Sequence, residues 1–397
     1  MEPLLPTQGK AELTELACEL LRTSGRLSGM LHLITRQSMA ELLRAMNSYY
    51  SNLIEGHRTN PYDIEKAIKH DFSRNPEQKA LQQESVAHIR VQMALEKKLG
   101  SETNAFSQEF ICWLHAEFYK HLPDSFRLLK DDKGRQYEVV PGKIRQDEVY
   151  VGRHIAPHHQ ALPAFMERFA SFYGNDSLAA DERILAIAAS HHRLAWLHPF
   201  MDGNGRVVRL FSHALFIKNK VDADGLWAIS RGLARSRDGY MQWLDKGDTK
   251  RENDYNGRGR MSDKALSGFC KFFLTTALDQ VSFMSKLLDF DSLEKRIERY
   301  LATSDVLRGK EEDGKYLLWE ALRKGEFQRG QAGRITNKPE RTARDILKAL
   351  VGEGLLVSDT EKSPVRLGFP VRVLEFYFPL LYPQGAKEEQ TSIIGLP

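Results

Sequence analysis

The chain has 397 residues, 42% hydrophobic and 28% charged, with a net charge of +4. That length exceeds one small core and predicts two or three domains, and the charge is too small to single out nucleic acid or anionic membrane as the partner. Cys18, Cys112 and Cys270 lie far apart without a CxxC pair, which excludes a disulfide scaffold and a cysteine zinc site and fits a reducing, cytoplasmic setting. The N-terminal "MEPLLPTQGK" lacks a basic start and an apolar core, so no signal peptide is expected. No apolar run reaches the ~18 residues that a membrane span needs, so no membrane partner is expected either.

Residues 11 to 60 predict helices. "AELTELACELL" and "SMAELLRAMNSYYSNLIEG" repeat apolar residues at helical spacing, and Gly56 is a stop signal. "PYDIEKAIKH" starts with Pro61 inside a first turn, "ALQQESVAHIRVQMALEKKL" is a long amphipathic helix and "SQEFICWLHAEFYKHL" is another. The texture changes at 130–157, where turn residues surround short β-branched runs. "KIR" (143–145) and "VYVG" (149–152) predict the two strands of a hairpin. Helices resume at "ALPAFMERFASFYG" and "DERILAIAASHHRLAWLHPF", the second apolar enough for a buried central helix. "KGDTKRENDYNGRGRMS" predicts an exposed loop among further helices to about 300. From 310, "DGKYLLWEALRKGEF", "QAGRITNKP" and "ERTARDILKALVGEGLL" predict three helices. "LLVSD" and "VRLGFP" predict two strands joined at "TEKSP", a winged-helix pattern, and the tail "KEEQTSIIGLP" is expected to be loose.

The chemistry concentrates in "HPFMDGNGRVVR", residues 198–209. Pro199 and Gly203 end a helix near His198, and "RVVRLFSHAL" begins the next. Consecutive N–H groups of a Gly-rich turn at a helix N-terminus form an anion nest, reinforced by the helix dipole. Arg206 and Arg209 share a face of an exposed first turn and suit phosphate oxygens. Asp202 is a hard ligand for Mg²⁺ bridging phosphates. His198 is the group here that can take a proton near neutral pH. Each element alone has a plainer reading: a structural histidine, a turn, solvated arginines. Together they predict a polyphosphate site with a general base beside it.

The stretch resembles the Fic family signature, HxFx(D/E)GNGRxxR, at every fixed position. "VYVGRHIAP" (149–157) resembles the Fic flap, and "SNLIEGH" (51–57) resembles the inhibitory motif (S/T)xxxE(G/N), with His57 where the family usually has a small polar residue. The C-terminal helices and strands resemble the winged helix often appended to bacterial members. The resemblance implies a mainly α fold: a Fic helical bundle with a β-hairpin flap, plus a winged-helix domain. It divides the chain into an N-terminal helical region with the inhibitory helix (1–95), the Fic core (96–300) and the winged helix (305–385).

The activity implied is transfer of AMP from ATP to a Ser, Thr or Tyr hydroxyl of a target protein, or of the chain itself. His198 would be the base. Asp202 would hold Mg²⁺. Gly203, Asn204 and Gly205 would form the nest, with Asn204 at the α-phosphate. Arg206 and Arg209 would hold the β- and γ-phosphates. Tyr240, in "RDGYMQWL", is a candidate adenine contact, with a core aromatic as the equal alternative. Val149, Tyr150, Val151 and Gly152 would dock an extended target segment by strand pairing. Glu55, with Ser51 and Gly56, would pair with Arg209 and keep the γ-phosphate out. Other donors, AMP removal and a homodimer also occur within what the resemblance allows. The different-class reading is a DNA-binding regulator using Glu340, Arg341, Arg344 and Lys348 of the winged helix.

Overall fold

A computed structural model of the chain describes residues 1–383 apart from 131–133, 135, 152–153, 176, 254–255, 257–258 and 306. Gly152 of the expected flap, the middle of the polar 246–262 loop and the tail lie outside the described residues.

Two long helices begin the fold, α1 (Lys10–Ser28) and α2 (Leu33–Ile54). Next come α3 (Pro61–Ile68), α4 (Pro76–Lys98) and α5 (Gln108–Lys120). Each of these three starts on an Asn or Ser whose side chain accepts a first-turn N–H, and Pro61 and Pro76 occupy the position where the lost N–H costs nothing. Strands β1 (Leu128–Lys130) and β2 (Gln136–Glu138) pair antiparallel, as do β3 (Tyr150–Val151) and β4 (His154–Ile155).

The expected strand at Lys143–Arg145 does not form. Arg145 is 3% exposed, and its guanidinium donates to the carbonyls of His198, Asp147 and Pro157. Its own N–H goes to Pro199. Satisfying a buried guanidinium this way takes the segment out of strand pairing, so β3 finds its partner after the turn instead.

Helices α6 (Leu162–Tyr173), α7 (Ala180–Leu197) and α8 (Asn204–Lys218) follow. The apolar α7 is the central rod, packed against α1, α6, α8, α10 (Arg237–Gly247) and α11 (Asp263–Leu287), with α9 (Ile229–Arg235) against α2 and α11. Buried Arg193 of α7 donates to the Pro3 carbonyl, and Asp263 accepts from Thr7 and Gln8, so the first residues are packed into the same core.

Helix α12 (Phe290–Thr303) leads to α13 (Glu311–Lys324), α14 (Ala332–Thr336) and α15 (Glu340–Gly352). The expected two strands, β6 (Leu356–Val357) and β7 (Val365–Leu367), are joined by a third, β5 (Glu326–Phe327), in the order β5-β7-β6, all antiparallel. A last short helix, α16 (Leu374–Tyr377), packs on α12. This C-terminal unit is tied to α2: Thr35 donates to the Leu322 carbonyl and Tyr50 to the Leu381 carbonyl.

Candidate functional site

Helix α7 ends at Leu197, and His198 turns the chain with φ 46°, a left-handed conformation rare outside glycine. Gly203 repeats this at φ 77° and starts α8. A Cβ there would press on the Tyr119 ring at 3.2 Å, so glycine is required on both counts. Asn204 closes the turn. Its side chain accepts from the Phe200 N–H and donates to the Phe200 carbonyl, which leaves its backbone N–H as the nest-forming group.

Asp202 is oriented from α5. The Tyr119 hydroxyl donates to Asp202 Oδ2 at 2.8 Å, and His115 reaches the Asp202 carbonyl at 3.3 Å. Burial pushes the His115 ring down to about 4, so it is neutral, and since its Nδ1 accepts the Gly142 N–H, Nε2 carries the proton. Asp202 Oδ1 accepts no hydrogen bond among the described residues, and a half-buried carboxylate with one oxygen spare fits a Mg²⁺ ion shared with phosphate oxygens.

The two signature arginines are not solvated, as the sequence suggested. Arg209 is 2% exposed and Arg206 8%. Both turn inward because α2 and α4 lie across the first turns of α8. Arg209 Nε donates to Ser51 Oγ at 2.9 Å, and its Nη2 donates to the Ser51 carbonyl at 3.0 Å and to Glu55 Oε1 at 2.6 Å. A Cβ on Gly205 would collide with that same Glu55 oxygen, so the carboxylate rests on the glycine face of the turn. Burial pushes the Glu55 pKa up, but the charges of Arg209 and Arg206 outweigh it and hold the carboxyl below its ordinary range. Gly56, at φ 89°, ends the Ser51–Glu55 segment by leaving the helix in a left-handed turn.

Arg206 turns away to a second carboxylate, Glu84 of α4, at 3.1 Å, and lies over the Phe118 ring. Its Nε is buried without a hydrogen-bond partner among the described residues, a donor left available to an anion. His57, the residue after Gly56, completes this cluster with Nδ1 2.6 Å from Glu84 Oε2, and the Glu84 bond raises its pKa despite partial burial. The local sequence gives Glu84 no signal; it is one carboxylate of a long polar helix, and only the crossing of α4 over α8 singles it out.

A cavity of about 520 Å³ joins His198 to the Arg209–Glu55 pair. His198, Asn204, Gly205, Arg209 and Glu55 line one end, and Trp196, Val208, Met241 and Leu244 give it apolar walls. Burial, with His154 and Arg145 adding positive charge, lowers His198 to about 4, so its ring is neutral and able to accept a proton at pH 7. Asp202 and Arg206 lie outside the cavity lining. Tyr240 borders the cavity but is 2% exposed, with its hydroxyl bonded to buried His191 at 2.7 Å. The flap reaches the cavity through His154. Its Nε2 bonds the Trp196 carbonyl at 2.9 Å and its Nδ1 lies 2.6 Å from Asp248 Oδ2, so both ring nitrogens face acceptors. Burial opposes protonation of that ring, but the Asp248 bond prevails and its pKa is raised.

Residues 105–216, from the approach to α5 through α8, match the family described as Fic/DOC. The matched stretch is Fic-like. Within it lie His198, the nest and both arginines. Over 97 residues the chain is 35% identical to the protein adenylyltransferase Fic of Drosophila melanogaster, covering 24% of this chain and 20% of that protein. The Drosophila erecta protein of the same name is 31% identical over 97 residues. The match thus spans about a fifth of the length of these curated relatives. A Fic family protein from Desulfovibrio desulfuricans G20 shares the fold with a TM-score of 0.51 at 16% identity, over 89% of this chain and 96% of that one. Residues 134–508 of Fic-1 from C. elegans do so with a TM-score of 0.50 at 16% identity, over 70% of this chain and 73% of that one. The matched stretch therefore holds the turn, His198 and both arginines, while Glu55 and Glu84, which neutralise those arginines, come from the chain N-terminal to the matched residues. No helix among the described residues is long and apolar enough to cross a membrane.

Proposed function

We propose that this chain transfers AMP from ATP to a Ser, Thr or Tyr hydroxyl of a cytoplasmic protein target, itself included, and that Glu55 restrains the reaction. The observation that carries the reading is the Glu55 carboxylate resting on Gly205 and bonded to Arg209, an anion already seated where a phosphate would sit. The names of the Drosophila relatives support the same donor and group.

In this mechanism ATP enters the cavity with its phosphates toward the nest. Arg209, released from Glu55, takes the γ-phosphate, and Arg206 swings its unpartnered Nε to the neighbouring phosphate. The Asn204 and Gly205 N–H groups receive the charge that develops on the α-phosphate. An extended target segment pairs with the flap edge at 149–152 and presents its hydroxyl to His198. The hydroxyl oxygen attacks the α-phosphorus in line, its proton passes to neutral His198, and the bond to the β-phosphate breaks with pyrophosphate leaving. A Mg²⁺ ion on Asp202 would neutralise phosphate charge. The apolar walls at Trp196, Val208 and Leu244 suit the base, with Tyr240 behind them.

Incubation with α-labelled and γ-labelled ATP tests this directly. Label on protein from the α position alone means AMP transfer; label from the γ position, or from neither, overturns it. A second reading rests on α15, where Arg341, Arg344 and Lys348 are exposed. We read the C-terminal helices and three strands as a winged helix, and a salt-dependent duplex titration of the full chain distinguishes a DNA reader from a protein-contact module.

A further inference from the structure

Away from the nucleotide cavity, the described residues gather three metal-ligating side chains at one point: Glu148, His158 and His159. They bracket the flap, Glu148 just before β3 and the histidines just after β4. His158 Nε2 lies 3.3 Å and His159 Nδ1 2.8 Å from the same Glu148 oxygen. All three ligand atoms lie within 4.8 Å of one another. Zinc takes imidazole and carboxylate ligands at about 2.0–2.2 Å in a tetrahedron, which sets ligand atoms roughly 3.3 Å apart. The two Glu148–histidine separations, 3.3 and 2.8 Å, are already close to that.

The scaffold supports the arrangement. The two imidazoles stack with centroids 4.4 Å apart and planes at 28°, so they are held as a pair. Arg145, bonded to the Asp147 and Pro157 carbonyls, fixes the backbone next to Glu148 and next to His158. Glu148 and His158 are exposed and His159 partly so, which gives an ion access and leaves water to complete its shell. The opposing feature is Arg145 Nη1, 3.9 Å from the other Glu148 oxygen, whose charge repels a cation. That guanidinium also donates to the carbonyls of His198, Asp147 and Pro157, which offset part of its charge.

We propose that Glu148, His158 and His159 form a binding site for a divalent ion of the zinc class, and that the bound ion clamps the two feet of the flap together. Two imidazoles and a carboxylate select borderline ions such as Zn²⁺ or Co²⁺ over Mg²⁺, so this ion is distinct from the one proposed at Asp202. The ion replaces the hydrogen bonds that His159 now makes to Glu148. It would hold the 149–157 segment in one register whatever group the cavity transfers, so the proposal stands apart from the choice of donor.

The test uses the full chain, untagged and stripped of metal, titrated with Zn²⁺ against a chromophoric chelator. One equivalent should bind with Kd below about 10 µM, and His158→Ala, His159→Ala and Glu148→Gln should each weaken it at least tenfold with melting of the metal-free protein unchanged. Co²⁺ in the same site should show the intense visible bands of tetrahedral coordination. Amide exchange across 149–157 should slow when Zn²⁺ is added. Binding weaker than 10 µM, or binding that survives these variants, overturns the site. Unchanged exchange at the flap overturns the clamp.

Discussion

Replacing Glu55 by glycine should raise AMP transfer, and the geometry sets the size of the gain. Arg209 has a side chain 2% exposed and Glu55 one that is 32% exposed, joined at 2.6 Å. A charge-assisted hydrogen bond contributes about 1.5–3 kcal/mol. Water reaches a third of the Glu55 side chain and screens the pair, so the lower part of the range, about 1.5–2 kcal/mol, applies. By the rule that ~1.36 kcal/mol is tenfold, freeing Arg209 should raise the rate roughly 10–30-fold at subsaturating ATP. Glu55 is the residue just past α2, at φ −75°, so glycine there leaves the helix intact. The assay is incorporation of α-label into the protein itself and into added protein. The paired control, Glu55→Gly with Arg209→Ala, should show no gain, because the freed group is gone. A folded Glu55→Gly protein with unchanged or reduced incorporation would refute the reasoning, and "SNLIEG" would be an ordinary helix end.

His198→Ala should abolish incorporation, by roughly 10²–10⁴-fold, with ATP affinity measured by calorimetry nearly unchanged; an equal loss of affinity would remove the base role. Arg209→Ala should weaken nucleotide binding and also cost about 1.5–3 kcal/mol in denaturant melts, because the arginine is buried with three hydrogen bonds rather than solvated, and an unchanged melt would contradict that geometry. Glu84→Gln removes the charge that holds Arg206 and should tighten ATP binding several-fold in the Glu55→Gly background; weaker binding would mean that Glu84 instead orients Arg206 for the phosphate. His154 has a raised pKa in the folded protein, so its stabilisation is complete below its ordinary value of 6.5 and is lost as pH rises through the raised one. The stability gap between wild type and His154→Gln should therefore shrink as pH rises above 6.5, and a constant gap would show that the flap latch is not an ion pair.

The helices were legible because their periodicity, caps and stops are local: Pro61 opens α3 and Gly56 follows α2. The turn of the candidate site was legible for the same reason, since His198, the glycines and both arginines lie within twelve consecutive residues. What was not legible is set by tertiary contact. The β-branched residues around 143–151 predict two strands, yet a buried arginine in the first needs three carbonyls and takes it out of the sheet. Arginines at the start of a helix look solvated until two other helices cross them. Strand β5 is two residues long and exists only because β7 runs beside it.

The arginines of the nest are each held by a carboxylate, but the two carboxylates are not equivalent. Glu84 sits in the middle of α4 with its side chain 5% exposed, and both its oxygens are taken, one by Arg206 and one by His57. When Arg206 leaves for a phosphate, His57 remains as its counter-ion, so the buried charge is never alone. Glu55 sits past the last turn of α2, a third exposed, followed by a glycine in a left-handed turn. It can move to water at little cost, and so it is the releasable anion. Its position depends on α2, and α2 is held at Thr35 and Tyr50 by carbonyls of the C-terminal unit. A ligand or partner that draws that unit away from α2 should therefore free Arg209 without touching the nest.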